Sequence, residues 1–162
     1  MFRNKLGLHH ATGGRDTKRW MLESRPTVMK FVADLGASIE APPGILCVGR
    51  VVDDGLLDGQ GMDMNRMWRE GRSPASTAQW YIEAVLFDKI MLNPRIDVWS
   101  GPNEQVFEWD ADGEKKDAAL AKRNQEQRES VMRWYARFLY EFAREIQRFG
   151  KRALIGGWAV GN

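Results

Sequence analysis

Short apolar runs alternate with amphipathic stretches along the chain. Leu6-Gly7-Leu8-His9 reads as a first strand, ending in polar residues and Thr12-Gly13-Gly14. Asp16 to Glu23 reads as a short helix with Asp16 as its N-cap, and Ser24-Arg25-Pro26 stops it. Thr27 to Asp34 carries β-branched residues between Pro26 and Gly36, which favours a strand over a helix opened by the proline. Ala37 to Glu40 has room for one helical turn before Pro42-Pro43-Gly44. Ile45 to Val51 is almost continuously apolar, the pattern of a strand covered on both faces.

Residues 52 to 72 read as a long loop punctuated by Gly55, Gly59, Gly61 and Gly71, with a short helix around Met64 to Trp68. Ser73-Pro74 opens a helix to about Leu92, on which Trp80, Ala84, Phe87 and Met91 repeat at helical spacing. Asn93-Pro94 ends it, and Ile96 to Trp99 is the next strand. A helix from Asp117 to Phe149 carries one apolar stripe, Val131, Tyr135, Phe138, Phe142 and Ile146, and Gly150 stands at its C-terminal cap. Ala153 to Trp158 forms a last strand. The order β-α-β-α-β-α-β-α-β implies a parallel sheet with crossover helices. No repeat or linker divides residues 1–162, so one domain is expected.

Composition narrows the partners. Lys plus Arg is 24 and Asp plus Glu is 22, a net charge of +2 with 43% hydrophobic residues. That excludes a disordered tail and argues against a dedicated nucleic-acid binder, which concentrates basic charge. Arg123, Arg128, Arg133 and Arg137 alternate with Glu126 and Glu129, as on a solvated helix face. No apolar run is long enough to span a membrane, and the N-terminus lacks the apolar core of a signal peptide. The cytoplasm is the default compartment. Cys47 is the one cysteine, so no intrachain disulfide or cysteine metal site is expected.

In barrels and parallel sheets, sites form at the carboxyl ends of the strands. Those ends here carry His9 and His10, Lys30 and Asp34, Arg50 with Asp53 and Asp54, Trp99 to Glu104, and Trp158. The Asn103-Glu104 pair has the clearest chemistry. A carboxylic acid with a raised pKa can protonate a leaving oxygen, and a neighbouring amide can hold a sugar hydroxyl. His9, His10 and Arg50 are candidates for binding substrate. Trp99 and Trp158 are candidate stacking platforms, whereas Trp80 and Trp134 lie on helices and read as packing residues. Asp110-Ala111-Asp112-Gly113 lacks the closing Glu of a calcium loop, and no metal is expected. No phosphate loop, dinucleotide glycine fingerprint or Gly-x-Ser-x-Gly elbow occurs.

The order of elements and Trp99-Ser100-Gly101-Pro102-Asn103-Glu104 resemble the clan-A glycoside hydrolases, (β/α)8 barrels with Asn-Glu at the end of the fourth strand. With Thr27 to Ala33 as strand two, the strand at Ile96 is the fourth. The resemblance implies Glu104 as general acid/base, Asn103 on the substrate 2-hydroxyl, an oligo- or polysaccharide substrate, retention, and no cofactor. Gln105 stands where the family often has Pro. The family's nucleophile is a second Glu at the end of strand seven. A barrel typically needs about 250 residues. The expectation is therefore an α/β chain forming about five strands of a TIM barrel, the N-terminal part of a longer enzyme and inactive alone. Its open edge would favour self-association. Three rivals remain: a non-catalytic carbohydrate-binding protein on the same scaffold, an enzyme of another class on an open parallel sheet using His9, His10 or Asp53, and a structural or interaction protein whose strand ends do no chemistry.

Overall fold

The computed structural model describes residues 8–10, 16–32, 34–51, 64–102 and 115–155. Among the described residues there are five strands: β1 (Leu8–His10), β2 (Val28–Val32), β3 (Leu46–Arg50), β4 (Val98–Ser100) and β5 (Arg152–Leu154). They lie side by side in chain order, every neighbouring pair parallel. The protein is thus α/β with a parallel sheet, as the alternation of elements predicts. The described strands make an open sheet with β1 and β5 at its edges. The segment after Pro26 is a strand rather than a helix, so β4 is the fourth of the described strands.

Each step between parallel neighbours needs a crossover. Helix α1 (Thr17–Ser24) lies between β1 and β2, and a 3₁₀ turn (Gly36–Glu40) between β2 and β3. Asp16 occupies the N-cap position of α1 as expected, but its side chain makes no capping hydrogen bond there. Helices α2 (Met64–Arg69), α3 (Pro74–Tyr81) and α4 (Phe87–Leu92) lie between β3 and β4, and α5 (Ala118–Arg148) between β4 and β5. The starts of α3 and α5 follow their sequence signals. Ser73 Oγ accepts from Ser76 N at 3.1 Å ahead of Pro74. Asp117 Oδ1 accepts from Ala119 N at 2.9 Å and Leu120 N at 3.1 Å. Gly150, with φ +68°, follows α5 in the left-handed conformation that glycine takes without strain.

Two features of the α3–α4 stretch depart from the sequence expectation. It is not a single α-helix: Ile82–Leu86 forms a π-helical turn joining α3 to α4. The buried side is also not the stripe of Trp80, Ala84, Phe87 and Met91. Ala84, Phe87 and Met91 are exposed, whereas Ala78, Ile82, Leu86 and Ile90 are buried, joined by Tyr81 and Val85. In an α-helix, residues four apart drift around the axis by about 40° per step, from 3.6 residues per turn. The wider turn at 82–86 cancels that drift and keeps the i, i+4 row against the core. The stripe read for α5 is the buried one.

The core lies between one face of the sheet and the helices. Met29 and Phe31 of β2, Cys47 of β3 and Trp99 of β4 join Tyr81, Leu86, Tyr135, Phe138, Phe142 and Ile146 in a single buried cluster. Tyr81 meets Phe142 at 6.0 Å between ring centroids, and Trp134 stacks on Phe138 at 5.9 Å. Helices on one face are what right-handed crossovers give when strands follow in order. Val32, Val48 and Val98 are buried as well but stand outside this cluster, on the opposite face by strand alternation.

Candidate functional site

All strands point the same way, so their carboxyl ends share one edge of the sheet. That edge holds His10, Val32, Arg50, Ser100 and Leu154. Register sorts positions between the two faces. His9 is in register with Lys30, Lys30 with Val48, Val48 with Val98, and Val98 with Arg152. Arg50 is in register with Val32. Lys30, Arg50 and Arg152 therefore share the face away from the helices, and the position of His9 belongs to it. His10 is in register with Phe31, a residue of the core cluster, so its position belongs to the helix face. The two neighbouring histidine positions are thus divided between opposite faces.

The sheet's own charges are one-sided. Its described strands contain no Asp or Glu, and their Lys and Arg residues are Lys30, Arg50 and Arg152. Lys30 is partly buried and has contacts of its own. Arg50 is partly buried, and its Nε is buried without a hydrogen-bond partner among the described residues. A buried N–H left without an acceptor is costly, which sets Arg50 apart among the described basic residues of this face.

Trp99 belongs to the other side of β4. It is fully buried in the core, and its indole Nε1 has no hydrogen-bond partner among the described residues. A stacking platform needs an open ring face, which this position lacks. Trp99 instead packs over Gly49, where an added Cβ would lie 3.3 Å from the indole ring and 2.9 Å from Ile96 Cγ2. Trp80 and Trp134 pack against the core, as their helical positions predict. Asn103, Glu104 and Trp158 lie outside the described residues, as do Asp53, Asp54 and Asp110 to Gly113. Strand β4 and Gly101-Pro102 lead directly to the Asn103-Glu104 pair.

The opposite end of the sheet holds a clamp that the sequence reading did not single out. Arg95 donates to Asp97 Oδ2 at 3.0 Å, to the Ile45 carbonyl at 2.8 Å and to the Pro42 carbonyl at 3.2 Å. Asp97 Oδ2 also accepts from the Cys47 backbone N–H at 2.9 Å. Lys151 donates to the carbonyls of Pro94 and Ile96, both at 2.8 Å. The signal was an Arg-x-Asp pattern at the start of an apolar strand. A cleft of about 470 Å³ borders Arg95, Asp97 and Arg152. It lies at the amino ends of β3 and β4, where parallel sheets put stability rather than chemistry. Burial pushes the Cys47 thiol up to about 11, with Arg95 lowering it and Asp97 raising it. Such a thiol is a packing group, not a nucleophile at neutral pH.

Comparison with models of known protein families, with curated proteins and with solved structures finds no match. The functional reading therefore rests on the residues and the sheet. No described helix is long and apolar enough to cross a membrane.

Proposed function

We propose that these residues form the first five strands of a (β/α) barrel of glycoside hydrolase type, acting on an oligo- or polysaccharide through Glu104. The observation that carries this reading is the strand order, β1 to β5 in sequence and all parallel. Open doubly wound sheets reverse their order at a switch point, where their ligands bind. The described sheet has no reversal. Barrels add each strand beside the last, which leaves one face to the helices and turns the other inward. The buried Val32, Val48 and Val98 fit an inward face.

In this reading Glu104 stands just beyond the carboxyl end of the fourth strand. It gives its proton to the glycosidic oxygen as the C–O bond breaks, then takes one from the attacking water. Asn103 holds the sugar 2-hydroxyl. The nucleophile of a retaining pair sits about 5–5.5 Å from the acid/base. By the same resemblance it belongs to a seventh strand, beyond the five described here.

The test is hydrolysis by the protein at the full length its gene encodes. Glu104→Gln should slow cleavage of glycosides with poor leaving groups by about 10²–10⁴-fold, the usual worth of a general acid. It should affect far less the bond-breaking step for a dinitrophenyl glycoside, whose leaving group needs no proton. Equal activity of Glu104→Gln and wild type on both substrates would refute the assignment. Saccharide binding that survives Glu104→Gln, with no turnover by either protein, would instead identify a non-catalytic carbohydrate-binding protein.

A further inference from the structure

We infer that the face of the sheet turned away from the helices recognises a negatively charged sugar, with Arg50 binding the carboxylate of a uronic acid unit and Lys30 supporting it. The inference rests on the saccharide reading and adds the substrate class to it. Three observations carry it. Every charged residue in the described strands is basic, and all three lie on this one face. Arg50 is the last residue of β3, at the carboxyl edge where the proposed chemistry sits. Arg50 is partly buried and its Nε is buried without a partner, so among the described residues this N–H lacks an acceptor.

A carboxylate supplies that acceptor. Its two oxygens match the fork of N–H groups that a guanidinium presents, a geometry that neutral hydroxyls do not reproduce. Lys30 lies on the neighbouring strand, in register with Val48, two residues before Arg50. With strands about 4.8 Å apart and a rise of about 3.3 Å per residue, the two Cα atoms lie about 8 Å apart. Both long side chains can therefore serve one anion. A half-buried setting also strengthens the attraction relative to an exposed pair.

The experiment is calorimetric titration of the full chain with matched pairs of oligosaccharides: gluco-, galacto- and manno-oligomers and the same oligomers oxidised to uronates at C6. One uronate series should bind at least about 10-fold more tightly than its neutral partner, the scale of one charge-assisted hydrogen bond. Arg50→Gln should erase that preference, and raising the salt from 0.05 to 0.5 M should weaken it. Arg50→Lys keeps the charge without the fork, so it should retain part of the preference. It also guards against a glutamine variant that fails to fold, and thermal melting checks both. Neutral oligomers binding as well as uronates, with Arg50→Gln without effect, would overturn the inference and leave the saccharide reading standing. An Arg50→Gln variant that weakens both series equally would also overturn it, because Arg50 would then serve the protein's own carboxylates. Binding of neither series would remove the saccharide reading and the inference together.

Discussion

Replacing Gly49 by alanine places a methyl group against two side chains that cannot retreat. The new Cβ would lie 2.9 Å from Ile96 Cγ2, 3.4 Å from Ile96 Cδ1 and 3.3 Å from Trp99 Cζ3. Non-bonded carbons prefer about 3.5–4.0 Å, so the shortfall on Cγ2 is at least about 0.6 Å. Ile96 and Trp99 are both fully buried, so relief must come from the core itself. Overpacking of this kind costs about 1–3 kcal/mol. Losing a glycine also restricts the unfolded chain, which returns about 0.4–1 kcal/mol. The steric cost wins, and Gly49→Ala should lose about 1–2 kcal/mol. At about 2–4 °C per kcal/mol for a chain of this size, the melting temperature should fall by about 2–8 °C. Urea denaturation followed by tryptophan fluorescence reads the change. A double-mutant cycle with Ile96→Ala isolates its cause. Ile96→Ala alone should cost about 2–5 kcal/mol, but the double variant should lose at least about 1 kcal/mol less than the sum, because the new methyl fills the space left by Cγ2. A Gly49→Ala protein as stable as wild type, or a cycle additive within about 0.5 kcal/mol, would refute the packing account.

Two further outcomes follow from buried groups and helix starts. Burial raises the Cys47 thiol from 9.0 to about 11 and the Tyr135 hydroxyl from 10.0 to about 12. The folded state then holds protons that the unfolded state releases first, so stability should fall as pH rises from 9 towards 12. Urea midpoints across that range should fall less steeply between pH 9 and 11 in Cys47→Ala, and an unchanged slope would exclude the thiol as a cause. Asp117→Ala removes the acceptor for two N–H groups at the start of α5 and should cost about 1 kcal/mol in urea denaturation. Asp117→Asn should restore most of that loss, and a loss equal to alanine's would show that the cap is not the cause.

Much of the architecture was legible because local signals agreed with one another. The stripe from Val131 to Ile146 has a single apolar side, and a polar remainder leaves only one way to bury it. The short apolar runs between helices left parallel pairing as the consistent topology, and the register bears it out. Residues 74 to 92 were harder for the opposite reason. Trp80, Phe87 and Met91 compete there with Ile82, Leu86 and Ile90, and only docking on the sheet and α5 decides between the two rows. The π turn that serves the winning row has no local sequence signature. Trp99 was misread as a platform because alternation along a strand shows which residues share a face, not which face meets the helices. Arg50 is a candidate in the sequence, but that its Nε has no partner among the described residues is a property of the fold. The Arg95–Asp97 clamp joins residues to carbonyls about fifty positions away, a reach that no local pattern reports.

The order of the strands also bears on how the chain is made. Because each of β2 to β5 pairs with the described strand before it, one partner has already been synthesised when that strand emerges from the ribosome. None of β2 to β5 needs a later segment for its first pairing, so these strands can assemble in the direction of translation, one unit docking on the last. The newest strand is then always the bare one. Through most of synthesis the growing edge, rather than the finished core, is where the nascent chain is most exposed to pairing with the wrong partner.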